Sequence, residues 1–184
     1  MEKIIEIIKM DPRYLKNIEY GEPRLGHPEG QVKFHIADLE NNLERIKTRG
    51  ISSNDYWKLK FLIHVHDSFK AEAQKDTPTL HPRNHATLAK EYASKFINDT
   101  DLLNMIQYHD ENYDLWKEYF QTNQYNIDQF HNLLNIINDW NLFLMFIIID
   151  GSTRGKDLSK LAWFITEVKR HKTTMVDASW MLDP

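Results

Sequence analysis

The chain has 184 residues, a formal net charge of -4, 41% hydrophobic residues and no cysteine. This length and composition suit one globular domain with a sizeable core and exclude a disordered chain, disulfides and thiolate metal sites. The acidic balance, without any long Lys/Arg run, gives no strong nucleic-acid signal. The segment MEKIIEIIKM is too charged for a signal peptide, and LFLMFIII is too short to span a membrane, so we expect a cytoplasmic protein.

Helical spacing of apolar residues recurs along the chain, which predicts an all-α fold in one domain over 1–184, with its core at about 26–171. A short helix is predicted over about 2–9, ended by Asp11-Pro12, with residues 11–30 as a loop. A clean apolar repeat from Val32 stops at Gly50. Further helices are predicted over about 55–72, 83–98, 101–111, 113–121, 127–149 and 156–171, with a polar loop at 71–84.

Histidines and aspartates interrupt the apolar faces of five of these helices, at His35, His66, Asp67, His85, His109 and Asp150. A single buried histidine is more often a hydrogen-bonded core residue than a ligand. Burying all of these groups without a shared partner would cost several kcal/mol for each ionised group. A divalent cation removes that cost, and a His and Asp set favours Mn, Fe, Co, Ni or Zn over Ca.

The order of His35, His66-Asp67 and Asp150 in an all-helical chain resembles the HD superfamily of metal-dependent phosphohydrolases. The segment HPEG at 27–30 is similar to the HD-type domain of bacterial CCA-adding enzymes, and Lys70 matches the HD-x-x-K form. The segments NHATLAKEYA at 84–93 and IQYHDE at 106–111 resemble the extra histidine segments of members with two metals. The resemblance spans about residues 26–165 and implies a single HD-domain helical bundle.

The resemblance also implies a binuclear metal site that cleaves a phosphate ester of a nucleotide or related small molecule. His35, His66, Asp67 and Asp150 would hold the first metal, and Asp67 would bridge to a second. The second site would be completed by two further histidines, His85 and His109. Metal-activated water would be the nucleophile, as in other two-metal hydrolases.

Two cations are candidates for binding the substrate phosphate. Lys70 would neutralise a phosphate oxygen beside the catalytic Asp67, although its spacing also fits an exposed helix lysine. Arg154, in the turn after Asp150, offers a guanidinium that can clamp phosphate, whereas Lys156 in the same turn reads more readily as a surface residue. Glu29 is interpreted either as a carboxylate that orients a ligand histidine or as an acidic loop residue without a role in the site.

Other polar and aromatic residues are interpreted mainly as structural. His64 points away from the ligand face of its helix, and His81, the rival of His85, precedes a proline in the loop. Aromatic residues that could stack a base are more often core residues, and this reading applies to Tyr108, Tyr113 and Trp116. The loop at 71–84 could cover the site as a lid. The tail SWMLDP hints at contacts with another chain, and the oligomeric state is open.

The sequence leaves three functions open. The leading one is a phosphohydrolase, and the absence of a GYP segment gives no support for cyclic di-GMP as its substrate. The second is an HD-type di-iron oxygenase, which would use the same ligands but require iron and oxygen. The third is a metal-bearing binding module without turnover.

Overall fold

The computed structural model describes residues 1–177, and over that range the chain forms helices and no strand. The predicted all-α class is therefore confirmed. The tail SWMLDP lies outside the described residues. The helices are α1 (Glu2–Lys9), α2 (Pro12–Ile18), α3 (Val32–Lys47), α4 (Ser53–Val65), α5 (His85–Ala93), α6 (Thr100–Gln107), α7 (Glu111–Thr122), α8 (Ile127–Ile136), α9 (Trp140–Gly151) and α10 (Leu158–His171).

The prediction that residues 11–30 form a loop is wrong for its first part, where α2 lies. Asp11 is the N-cap of α2, and its carboxylate accepts hydrogen bonds from the backbone N–H groups of Arg13 and Tyr14. Pro12 occupies the first turn, where a missing N–H costs nothing. The Asp-Pro pair that ends α1 is thus also the start signal of the next helix.

Two predicted helices are shorter than the periodicity suggested. The helix expected over 55–72 ends at Val65, and residues 66–73 form turns. The helix expected over 127–149 is divided into α8 and α9, because the backbone of Ile137 is extended and Asp139 caps α9. No single helix among residues 1–177 is long and apolar enough to cross a membrane; α8 and α9 pass that test only as a pair bent by 117°.

Helices α4 and α9 form the centre of the fold. Helix α4 contacts α1, α3, α5, α6 and α9, and its last five residues are all buried. Helix α9 is apolar around its whole circumference, as expected for a helix enclosed by others. Helices α4, α6 and α9 end close to one another, and α3, α5 and α7 begin at the same place. Side chains at this junction are held by the rigid core on one side and meet cavities on the other.

Candidate metal centre

The structure brings together all six residues that the sequence singles out as metal ligands. His35 comes from the first turn of α3, His66 caps the end of α4, and Asp150 lies in the last turn of α9. His85 is the first residue of α5, and His109 follows the end of α6. The helix expected over 101–111 stops at Gln107, so the His109 side chain reaches the junction from a turn.

Asp67 is the residue that connects the two halves of this cluster. Its Oδ2 atom lies 3.5 Å from Nε2 of His66 and 4.0 Å from Nε2 of His35. Its Oδ1 atom lies 3.3 Å from Nε2 of His109 and 3.5 Å from Nε2 of His85. Each carboxylate oxygen therefore faces a separate pair of histidines.

Asp150 completes the first half of the cluster. Its Oδ1 atom lies 2.9 Å from Nε2 of His35 and 4.0 Å from Nε2 of His66. Donor atoms of His35, His66 and Asp67 all lie within 4.8 Å of one another, and so do those of Asp67, His85 and His109. These buried His and Asp groups could hold a metal ion.

The hydrogen bonds of two histidines decide which ring nitrogen faces the cluster. The Nδ1 atom of His66 lies 3.1 Å from the carbonyl oxygen of Leu62, and that of His109 lies 2.8 Å from the carbonyl oxygen of Ile106. A carbonyl oxygen only accepts, so each Nδ1 carries the proton and donates it. In the neutral rings both Nε2 atoms then point lone pairs at the cluster, as in metal-bound histidines.

Three buried atoms of the cluster have no hydrogen-bond partner in the structure. Nε2 of His66 and Oδ1 of Asp67 are two of them, and the third is Nδ1 of His35, although Oε1 of Glu29 lies 3.0 Å from it. His66 is 0% exposed, so its Nε2 atom is not in contact with bulk water. A buried acceptor beside a carboxylate carries a desolvation cost that only a donor or a cation removes. The donor set therefore fits a metal ion.

Glu29 is placed to orient the first histidine. Its Oε1 atom lies 3.0 Å from Nδ1 of His35 and also 3.0 Å from Nδ1 of His27. The Nε2 atom of His35 remains directed at Asp150. Contacts of this kind hold the ring of a ligand histidine in place and increase its basicity. His27, which the sequence does not single out as a site residue, contacts the same carboxylate and lies on the wall of a cavity beside the cluster.

The electrostatics of the cluster favour cations. Burial opposes the charged form of His35, but its contacts with the carboxylates of Asp150 and Glu29 outweigh burial and raise its pKa to about 9. Burial likewise opposes protonation of His109, but Asp110 and Asp67 raise its pKa to about 9. The carboxylates therefore attract positive charge strongly enough to overcome desolvation, and protons or metal ions compete for the same nitrogen atoms.

Two lysines provide the positive charge that faces the carboxylates. Lys70 forms an ion pair with Asp67, and the Nζ atom of Lys156 lies 3.2 Å from Oδ1 of Asp150. The side chain of Lys156 is only 8% exposed. Arg154 is exposed and is not part of the cavity wall beside Asp150. The turn after Asp150 thus directs Lys156 to the cluster, the reverse of the ranking made from the sequence.

Asp110, which the sequence does not single out as a ligand, touches the second half of the cluster. Its carboxylate lies 3.1 Å from Nε2 of His85 and 3.5 Å from Nε2 of His109. The IQYHDE segment contained the signal, since Asp110 directly follows His109. His81 instead accepts a hydrogen bond from the backbone N–H of Arg83.

His64 faces away from the cluster, as its spacing from His66 suggested. Its Nδ1 atom lies 2.7 Å from the hydroxyl of Tyr14, and its Nε2 atom lies 3.1 Å from Glu40. The neutral ring with the proton on Nε2 satisfies both contacts, since the hydroxyl donates to Nδ1 and Nε2 donates to the carboxylate. His64 therefore links α2 and α3 to α4 and is not available to a metal.

No family model, no curated protein and no solved structure matches this chain. The placement of the residues described above therefore carries the functional argument.

Two cavities lie over the cluster and share the residues Arg24, Lys70, Asp110 and Tyr113 as walls. The loop-side cavity has a volume of about 470 Å³, and Gln74, Thr77, Thr79 and Asn84 form its far wall. The aromatic cavity has a volume of about 610 Å³, with Tyr113, Trp116, Lys156 and Lys160 along its wall. His85 opens into the loop-side cavity, whereas Asp67, His109 and Asp150 open into the aromatic cavity.

Asp114, on the wall of the loop-side cavity, provides a test of the local electrostatics. Burial, together with the neighbouring Asp110 and Glu111, raises the pKa of Asp114 to about 6. Because the folded protein holds this proton more tightly than the unfolded chain, charged Asp114 lowers stability as the pH rises from about 4 through 6. In buffer that contains a metal chelator, Asp114→Asn should therefore raise Tm at pH 7.5. This increase in Tm should vanish near pH 4.5.

The effect should be small, below about 1 kcal/mol, because Asp114 is exposed and solvent screens its charge. Thermal unfolding over pH 4–8 measures it, with Asp38→Asn on α3 as the control outside the cleft. A gain in Tm that is independent of pH would contradict the assignment.

Proposed function

We propose that this protein is a metal-dependent phosphohydrolase of the HD type that cleaves a phosphate ester of a nucleotide or related small molecule. The observation that carries the proposal is the unpaired Nε2 of His66 beside the unpaired Oδ1 of Asp67, buried at the meeting point of six ligand-type side chains. Membership of the HD superfamily is part of the proposal and rests on the order and placement of these residues.

The cluster would hold two divalent cations on either side of Asp67. His35, His66 and Asp150 would serve one, and His85, His109 and Asp110 the other. Cations bound there would polarise the phosphorus–oxygen bond and lower the pKa of a bound water. The number of ions and their identity belong to the proposal, since only the metal-binding potential of the cluster follows from the donor set.

The chain's own cations explain why the substrate would be an anion. Lys70 and Lys156 both line the aromatic cavity with their ammonium groups at the carboxylates. A phosphate that enters this cavity meets two positive charges in a partly buried setting, where charge-assisted hydrogen bonds are strong. Glu29 would keep the His35 ring fixed throughout.

Hydrolysis needs only water as the second reactant. The water oxygen forms a bond to phosphorus, the ester phosphorus–oxygen bond breaks, and the leaving oxygen takes up a proton. The products are an alcohol and a phosphate with one ester group fewer. The reaction consumes no oxidant or reductant, which separates it from the oxygenase alternative.

The first test is metal content by elemental analysis of protein purified without chelator, for wild type and His109→Ala. We expect about two ions per chain in the wild type and about one in the variant. Of the two Asp67 oxygens, His109 contacts Oδ1, the one that faces His85, so its loss affects one half of the cluster. An unchanged count in the variant, or no metal in the wild type, would rule out the two-ion arrangement.

The second test is hydrolysis of p-nitrophenyl phosphate and a nucleotide panel with Mn or Co, with and without oxygen. A phosphohydrolase should release product at equal rates in both atmospheres. A requirement for iron and oxygen would identify the di-iron oxygenase instead. Bound metal without turnover of any phosphate ester would support the binding module.

A further inference from the structure

The cleft over the cluster extends in two directions from one point. The loop-side cavity and the aromatic cavity share Arg24, Lys70, Asp110 and Tyr113, so both open onto the same charged centre, where Arg24 and Lys70 are the cations. Each has a volume within the range of about 300–1,000 Å³ that holds a small ligand. A phosphate at this centre would have room for an organic group on either side.

The loop-side cavity is built from polar groups held in place by the loop at 71–84. The backbone N–H of Gln74 donates to the carbonyl oxygen of Arg83 at 2.9 Å, which closes the loop at its base. The side-chain amide of Asn84 donates to the carbonyl oxygen of Thr77 at 3.0 Å. Lys75 and Asp76 of the same loop also line this cavity. Closely spaced hydrogen-bonding groups on an ordered loop suit a substituent rich in hydroxyl groups.

The aromatic cavity has a different chemistry. Lys160 lies with its Nζ atom 5.1 Å from the centroid of the Tyr113 ring, a cation–π contact at the cavity wall. The ring of Trp116 forms part of the same wall and stacks on Phe120, with centroids 5.1 Å apart and planes inclined by 22°. A flat aromatic group with nearby negative charge would pack against these rings and lysines.

We infer that the substrate is a phosphodiester, with a planar aromatic substituent in the aromatic cavity and a hydroxyl-bearing substituent in the loop-side cavity. This inference rests on the proposed function and extends it by choosing between monoesters and diesters. A monoester would occupy one cavity and leave the other filled only with water. Hydrolysis of the diester by one water gives a phosphomonoester and an alcohol, so atoms and charge balance without a further reactant.

The test compares two chromogenic substrates on the metal-loaded protein, namely p-nitrophenyl phosphate and thymidine 5′-(p-nitrophenyl phosphate). We expect kcat/KM to be at least tenfold higher for the diester. Ala73 lines the loop-side cavity, so Ala73→Trp should fill it and remove the diester preference while changing the monoester rate less than twofold. Ala37→Trp, at an exposed position of α3 outside the cleft, is the matched control.

A second variant tests the aromatic cavity. Trp116→Ala should raise KM at least fivefold for both substrates, because both carry the nitrophenyl ring. Gln121→Ala is the matched control, since Gln121 lies on the same helix, is exposed and is not part of the cavity wall. Equal kcat/KM for the two substrates, or an Ala73→Trp variant that keeps the wild-type ratio, would overturn the inference while monoester hydrolysis left the proposed function standing.

A binding readout separates the two proposals when turnover is absent. Calorimetry with the metal-loaded wild-type protein, which in that case leaves both substrates intact, should give at least fivefold tighter binding of the diester than of the monoester, and Ala73→Trp should abolish the difference. This binding preference without turnover by the wild type would support the inference of a diester ligand and contradict the proposed hydrolase function. Equal binding of both substrates would reject the diester inference.

Discussion

Asp67→Ala is expected to reduce bound metal from about two ions per chain to near zero and to lower phosphate-ester hydrolysis on the order of a thousandfold. Asp67 is the one residue described here whose two oxygens face different halves of the cluster, with His66 and His35 on one side and His109 and His85 on the other. Its loss therefore removes a negative ligand from both sites at once.

A matched variant separates this effect from a general loss of charge. Asp110→Ala removes a carboxylate that touches only His85 and His109, so about one ion per chain should remain. Asp67→Asn keeps the shape of the side chain and serves if Asp67→Ala does not fold. Full metal content in Asp67→Asn, measured by elemental analysis beside a circular dichroism spectrum, would show that the cluster does not bind metal through this residue.

Gly21→Ala is expected to lower the free energy of unfolding by about 3 kcal/mol and to weaken metal binding by roughly 10- to 100-fold. Gly21 has φ of +120°, and a Cβ there would lie 2.4 Å from the carbonyl oxygen of Gly30. Gly30 directly follows Glu29, so the displaced backbone would move the carboxylate that contacts His35. The defect should therefore appear in both stability and metal affinity.

Gly26→Ala provides the matched control in the same loop. Gly26 also has a positive φ, of +77°, but an added Cβ would meet nothing within 4 Å. We expect a loss of only about 1 kcal/mol from backbone strain, with metal affinity unchanged. Urea unfolding and competition with a metal chelator measure the two quantities. Equal losses in both variants would mean that the contact between Gly21 and Gly30 does not position Glu29.

The fold class and the membership of the cluster follow from the sequence, whereas the ends of the helices do not. The apolar repeat through Leu59 and Leu62 continues to Phe69, so periodicity alone places Asp67 inside a helix. The structure ends α4 at Val65, and the turn after it turns the Asp67 carboxylate toward four histidines. Periodicity measures burial, and a buried turn preserves burial without preserving the helix.

The ranking of the cations could not be obtained from spacing. Arg154 and Lys156 are two residues apart in an irregular turn, where no fixed angle relates successive side chains. The turn buries Lys156 against Asp150 and leaves Arg154 exposed. The prediction of a loop where α2 lies was wrong for a related reason. An Asp-Pro pair is compatible with the end of one helix and with the start of the next.

Several helices end or begin at the cluster, so their backbone dipoles affect which sign of charge is favoured at each point. Aligned peptide dipoles leave partial negative charge at the ends of α4, α6 and α9, where His66, His109 and Asp150 lie. They leave partial positive charge at the start of α5 and α7, which adjoin His85 and Asp110 at the shared wall of the two cavities. The backbone itself therefore favours positive charge at the ends of α4, α6 and α9 and negative charge where α5 and α7 begin.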